Sequence, residues 1–128
     1  MSGAAEFPSV SEAVSQETID RYADISGDYN PIHVDLEAAA ASEFGGTIAH
    51  GPIALQTFFR SLTEWTGGGA PPPGTEVKVT FRYPVRPGDT VHSELRERED
   101  ADGATTISTE CLNQDGTTVI AAQATVPS

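Results

Sequence analysis

The clearest periodicity in the chain lies at residues 52–65. There Leu55, Phe58, Phe59, Leu62 and Trp65 recur at the three-four spacing that gathers side chains on one face of a helix. Gln56, Arg60, Ser61 and Glu64 fall largely on the other face. Pro52 suits the first helical position, where its missing N–H has no partner to lose. An earlier helix is predicted over residues 16–26. Ser15 supplies its cap, Glu17 and Asp20 lie near the positive end of its dipole, and Ile19, Tyr22, Ala23 and Ser26 share a face. Gly27 ends it. Residues 28–34 cannot continue that helix, because Pro31 removes a donor and pushes Asn30 out of helical geometry; they read as a rigid loop. Asp35 can cap a short second helix through Leu36, Glu37 and the alanines 38–41, and Gly45-Gly46 breaks the chain again.

The last third of the chain reads as strands. Val77, Val79, Phe81 and Tyr83 alternate with Lys78, Thr80 and Arg82, so one face of that strand is buried. Pro87-Gly88-Asp89 marks a turn, residues 90–98 the next strand, 100–103 another turn and 104–113 a third strand. Asp115-Gly116 is a hairpin signal before a last strand over 117–126. Residues 6–14 read as a short first strand or extended arm, which Pro8 confines to an edge. The Gly- and Pro-rich run 67–74 is a surface connector, because the chain after it is too short for a core of its own. The order of strand, helices and then an antiparallel meander predicts an α+β fold, one domain over residues 1–128, with a helix packed on one face of the sheet.

Composition narrows the function. A hydrophobic content of 38% over 128 residues supports one buried core. The net charge of −12, with only 7 basic residues, argues against nucleic acid and against anionic membranes, since phosphate contacts need clustered Lys and Arg. No apolar run approaches a membrane span, and residues 1–6 lack the pattern of a signal peptide, so a cytoplasmic location is expected. The one cysteine, Cys111, forms no intrachain disulfide and reads as a small buried residue in an alternating stretch. Three scattered histidines and one cysteine give no metal-ligand spacing, so neither a metal nor a cofactor is expected.

The candidate chemistry is concentrated around Pro31. Asp28 and His33 are five positions apart on a proline-stiffened turn, where the two side chains can converge on one water. A carboxylate near ~3.9 and an imidazole near ~6.5 are suited to proton transfer. The alternative is a turn-capping Asp28 and a loop histidine satisfied by its neighbours. Asn30 either holds the loop or orients a ligand. Gly51, at the mouth of the long helix, presents an N–H at the positive end of a dipole; it is an oxyanion donor or an ordinary helix-start glycine. His50 reads as a helix-start residue and His92 as a solvent-facing strand residue, and neither is assigned chemistry. Arg60, Arg82 and Arg86 are candidates for contact with anionic groups of a ligand, or are solvated surface charges.

The run Tyr22-Ala23-Asp24-Ile25-Ser26-Gly27-Asp28-Tyr29-Asn30-Pro31-Ile32-His33, followed by Phe44-Gly45-Gly46-Thr47-Ile48-Ala49-His50-Gly51, resembles the MaoC-like, (R)-specific enoyl-CoA hydratase family. The likeness is close over residues 18–66 and looser over Val79 to Val91. It implies a hot-dog fold, an antiparallel sheet wrapped around the helix 52–65, and a dimer whose sheets join edge to edge. It implies reversible hydration of a trans-2-enoyl-CoA to an (R)-3-hydroxyacyl-CoA. Asp28 and His33 would be the catalytic pair, Asn30 the support of their loop, and the Gly51 N–H the donor to the thioester oxygen. Gln56, where several relatives carry a serine near the site, is read as substrate-binding, as are Arg82 and Arg86 against the anionic CoA. Two other readings stay open: a non-catalytic acyl-CoA-binding subunit of a hot-dog heterodimer, and a hot-dog thioesterase. The second needs a nucleophile or carboxylate on the long helix, where Glu64 is the only acid and lies at the far end.

Overall fold

A computed structural model describes residues 6–128; residues 1–5, which bear on the expectation of no signal peptide, lie outside the described residues. Along the chain run β1 (Ser11–Ala13), α1 (Gln16–Ser26), α2 (Pro31–Val34), α3 (Leu36–Ala40), α4 (Gly51–Trp65), β2 (Glu76–Phe81), β3 (Thr90–Ala101), β4 (Ala104–Leu112) and β5 (Thr118–Pro127). The strands form one antiparallel sheet in the order β1-β3-β4-β5-β2. The sheet curls around α4, which touches β1, β3, β4 and β5. This is the α+β arrangement that the hydrophobic pattern predicts. Among the described residues no helix is long and apolar enough to cross a membrane.

The caps follow the sequence. The Ser15 hydroxyl accepts from Thr18 N–H at 3.1 Å at the start of α1. Gly27 closes the helix in the left-handed region at φ 78°, its N–H bonded to the Ala23 carbonyl, a conformation that costs glycine nothing. Asp35 caps α3 by accepting from the N–H groups of Glu37 and Ala38.

Five expectations are corrected. Residues 31–34 form a helical turn rather than a loop: Pro31 cannot continue α1, but its fixed φ suits the first position of a new helix. The buried stripe of α4 is Ile53, Ala54, Thr57, Phe58, Ser61, Leu62 and Trp65, while Phe59 is 39% exposed. Ser61, expected on the outer face, is fully buried and hydrogen-bonded to Ser93 of β3. The apolar residues alone put the stripe slightly off centre, because a Ser–Ser pair inside the core has no hydrophobic signature. The first strand shrinks to Ser11–Ala13, and β2 ends at Phe81, two residues short of Tyr83.

Where β4 meets β5, Cys111 pairs with Ile120 but Leu112 with Thr118, leaving Val119 as an extra residue in β5. The Val119 carbonyl accepts from both Arg82 N–H and Tyr83 N–H, at 2.9 and 3.3 Å. This contact, rather than further ladder pairing, holds the chain that leaves β2 against the sheet.

Cys111 is fully buried and receives a contact from the Thr57 hydroxyl. Burial pushes its thiol above the ordinary cysteine range. A thiol reagent such as DTNB is therefore expected to leave the native protein unlabelled and to titrate one thiol in denaturant; prompt labelling of the native protein would contradict this placement.

Candidate active site

Asp28 follows the Gly27 cap of α1 and divides its two carboxylate oxygens between two tasks. Oδ1 accepts from the Asn30 N–H at 3.2 Å and tightens the turn. Oδ2 faces the His33 Nε2 at 3.8 Å. Asn30 caps α2, its side-chain oxygen accepting from Ile32 N–H at 3.2 Å. That cap orients the turn on which His33 sits, so Asn30 supports the loop and its oxygen is committed to the backbone.

His33 is 8% exposed, and its Nδ1 lies 2.8 Å from the Ile48 carbonyl. A carbonyl only accepts, so Nδ1 carries a proton, and in its neutral form the ring presents a bare lone pair at Nε2. That lone pair points to the side where Asp28 Oδ2 stands. A separation of 3.8 Å is too long for a direct hydrogen bond, and it leaves two acceptors facing one gap. Two acceptors at that spacing suit a water molecule that donates one proton to each.

Gln16, at the start of α1, anchors the same turn. Its amide nitrogen donates to the His33 carbonyl at 2.8 Å, and its oxygen accepts from the Thr47 hydroxyl at 2.7 Å. The strand-like stretch after Thr47 is fixed by Ile48 N–H to the Ile32 carbonyl and Ala49 N–H to the Val85 carbonyl. Gln16 carries no sequence signal beyond its place near a helix start. Tyr29 turns away from the pair, its hydroxyl donating to Asp24 at 2.6 Å; that hydrogen bond holds its proton above the usual tyrosine range.

His50 holds the helix-start position expected of it at α4, and its side chain, to which the sequence assigns no chemistry, is brought into the site as well. The donor atoms of Asp28, His33 and His50 lie within 4.8 Å of one another. Histidines separated by seventeen positions in sequence thus meet in space, and the absence of metal-ligand spacing in the sequence did not foretell it. The other histidine, His92, is half-buried and paired with Glu94 at 2.6 Å.

A cavity of 620 Å³ opens beside the pair. His33, His50 and Gly51 form one wall; Phe81, Tyr83 and Ile120 belong to the others, and most of the lining is apolar. Asp28, its side chain 54% exposed, does not line the cavity but faces His33, which does. Gly51 is the first residue of α4, so its N–H has no carbonyl one turn back within the helix. The Phe81 ring packs directly on it: a Cβ at position 51 would stand 2.6 Å from Phe81 Cε1.

The remaining expected site residues divide. Arg82 lines the cavity and is exposed. Its positive field adds to Arg96 and the Thr118 hydroxyl in holding Glu110 below the usual carboxylate range, with the Arg96 hydrogen bond the largest influence. Arg86 is not brought to the cavity. Its guanidinium donates to the Phe44 carbonyl and its N–H to Asp89 at 2.9 Å, so it clamps the 44–46 turn from behind. Gln56 is not brought there either. Two positions on from inward-facing Ala54, it is exposed on the outer side of α4, beside Phe59, Arg60, Thr63 and Glu64. Glu64 shares that outer depression, remote from the cavity. Arg60 pairs with Glu12 at 3.2 Å.

A long helix clasped by a curled antiparallel sheet is the hot-dog fold. The family model described as "MaoC like domain" matches residues 5–118, and the chain belongs to that family of hydratases and dehydratases. Among curated relatives, 3-hydroxybutyryl-CoA dehydratase of Methylorubrum extorquens is 35% identical over 89 residues, covering 67% of this chain and 54% of that protein. The 3-hydroxyacyl-thioester dehydratase Z of Mycobacterium tuberculosis is 52% identical over 42 residues, 33% of this chain and 28% of that one. The beta subunit of fatty acid synthase from Schizosaccharomyces pombe is 34% identical over 104 residues, 80% of this chain but 5% of the subunit. The chain thus spans between 5% and 54% of the length of these relatives. Among solved structures, an (R)-hydratase from A. caviae involved in PHA biosynthesis shares the fold at a TM-score of 0.78 and 24% identity, covering 98% of both chains. The unliganded R-hydratase PhaJ1 from Pseudomonas aeruginosa matches at 0.68 and 25% identity, over 94% of this chain and 78% of its own.

Proposed function

We propose that the chain is a hydro-lyase that adds water reversibly across the double bond of a trans-2-enoyl-CoA, giving an (R)-3-hydroxyacyl-CoA. One observation carries the reading: His33 Nε2 and Asp28 Oδ2, both acceptors, face a common gap of 3.8 Å beside the cavity. A water in that gap donates to both. As its oxygen attacks C3, its proton passes to the pair, because neutral His33 has no proton of its own at Nε2 to give. The pair returns a proton to C2 on the same face, and the two transfers add up to syn addition. The thioester carbonyl lies against the start of α4, where the Gly51 N–H meets the charge that builds on oxygen. A donor so placed lowers such barriers by roughly 3–4 kcal/mol. The apolar walls receive the acyl chain, and Arg82 at the cavity faces the anionic part of the thioester.

The assembly proposed is a homodimer formed by the sheet edge at β2, where Phe81 and Tyr83 are 56% and 55% exposed next to the cavity. Sedimentation equilibrium at twice 13.5 kDa is the expected result, and a monomer at micromolar concentration would remove this part of the reading.

The decisive assay follows crotonyl-CoA and longer enoyl-CoAs by loss of enoyl absorbance, with the configuration of the product determined. Hydration to the (R)-alcohol supports the proposal. Binding of acyl-CoA without hydration at any chain length supports the non-catalytic subunit instead, and release of free CoA thiol supports a thioesterase.

Gly51→Ala leaves the N–H in place and checks the packing around it. The added methyl would stand 2.6 Å from Phe81 Cε1, so the ring must move and the wall beside Gly51 shifts with it. The expected loss in kcat/KM is about 10- to 100-fold, in line with ångström-scale misplacement. The double variant Gly51→Ala/Phe81→Ala should recover part of it, and no recovery would show that the ring is not the obstacle.

A further inference from the structure

We infer that His50 is a positioning residue for the Asp28–His33 pair, an inference that rests on the hydratase reading above and adds to it a role for a third side chain. His50 is 3% exposed. Its Nε2 lies 2.9 Å from the Asp28 backbone carbonyl. Its ring lies flat on the His33 ring, centroids 3.8 Å apart and planes inclined by 23°. Tyr22 of α1 presents an edge to it at 4.7 Å, which closes the far side. One side chain therefore holds the backbone of the acid and a face of the imidazole together.

The hydrogen bonds fix how the ring is protonated. The Asp28 carbonyl only accepts, so His50 Nε2 carries the proton. Nδ1 is buried and has no partner among the described residues, so it is the bare nitrogen. A second proton on Nδ1 would be an N–H with no acceptor in a buried place, an arrangement that costs the full loss of its hydration. His50 is thus held as a neutral donor. It also does not cap α4: its side chain makes no capping hydrogen bond although its backbone occupies the cap position. Helix capping therefore does not account for an imidazole here, whereas the contacts to both members of the pair do.

The consequence for the site is specific. His33 is restrained at its Nδ1 edge by Ile48 and on one face by His50. Asp28 is restrained through its carbonyl by His50 and through Oδ1 by Asn30 N–H. Without His50, the gap between Nε2 and Oδ2 is set by the turn alone. The residue does not reach the reacting atoms, since Nε2 is committed to the Asp28 backbone; it acts through the other two.

Two variants separate the two contacts. His50→Phe keeps a flat ring over His33 and removes the donor. His50→Gln keeps a donor at the position of Nε2 and removes the ring. For enoyl-CoA hydration, His50→Phe is expected to lower kcat roughly 10- to 100-fold, the scale of a misplaced catalytic group, with KM changed less than about twofold. His50→Gln should recover a large part of the loss. Imidazole nitrogen NMR supplies the readout independent of turnover. The wild type should show His50 as the Nε2–H tautomer and His33 as the Nδ1–H tautomer, and His50→Phe should move the His33 signals toward a tautomer average. Unchanged His33 signals with a lowered Tm only, in either variant, would reduce His50 to packing and overturn the inference. If His50→Phe does not fold, His50→Gln against wild type still decides through the same signals and the same kcat-to-KM comparison. If the wild type hydrates no enoyl thioester, the functional reading fails, and the tautomer spectra alone then decide whether His50 sets the pair.

Discussion

Asp28→Asn and His33→Gln each lower kcat for enoyl-CoA hydration by about 100- to 10,000-fold, the share usually carried by a positioned acid or base. Asn at position 28 keeps the Oδ1 that receives the Asn30 N–H, so the turn survives, but it puts an amide N–H₂ where Oδ2 faced the gap. A donor there meets the water's hydrogens rather than accepting one. Gln at position 33 offers no lone-pair nitrogen at all. Asp28 is over half exposed, so its replacement strips no buried group of a partner, and the circular-dichroism melt should stay near that of the wild type. Each contribution depends on the other through one water, so the double variant should lose little beyond the worse single variant. Near-normal turnover of crotonyl-CoA by both single variants would leave the pair without a catalytic role.

Phe58→Ala is expected to cost about 3–5 kcal/mol of folding free energy, because it removes a fully buried ring from the centre of the core. The ring touches Phe59 edge to face at 5.2 Å and sits on the stripe of α4 that the sheet encloses. Natural domains hold only about 5–15 kcal/mol in total, so this single change takes a large share. Urea denaturation at fixed ionic strength measures it through the midpoint with unchanged slope. Activity should fall in the same variant even well below its midpoint, since Gly51 begins the helix that Phe58 anchors. A loss under about 1 kcal/mol would mean that the core closes over the space, against the usual behaviour of large-to-small changes.

Much of the architecture was legible because it was written in periodicity and caps. Ser15, Gly27 and Asp35 all behave as local chemistry dictates, whereas Phe81 and Tyr83, expected on the buried face of β2, are over half exposed. Pro31 forbids the continuation of α1 but equally favours the first turn of a new helix, and the second preference prevails. Ser61 gives no local sign of burial because its partner, Ser93, is thirty-two positions away. The Asp28–His33 convergence could be anticipated from a proline turn. His50 and Gln16 could not, because each reaches the site through a backbone carbonyl that no residue-type pattern records. Gln56 and Arg86 show the reverse: their types suit a polar ligand, but the helix turn carries one away and the Phe44 carbonyl occupies the other.

The extra residue at Val119 lets two successive side chains, Val119 and Ile120, be buried before regular alternation resumes in β5. Ile120, Ala122, Ala124 and Val126 face inward, whereas Gln123 is exposed. Deleting Val119 would leave Thr118 opposite Leu112 and Ile120 opposite Cys111 in a regular ladder, so the inward set survives, whereas a single deletion beyond Ile120 would swap the two sets and drive Gln123 toward α4. Loop trimming at that hairpin, a common way to shorten a scaffold, can therefore take one residue at the bulge, with the loss falling on the Val119 carbonyl that receives the Arg82 and Tyr83 N–H groups.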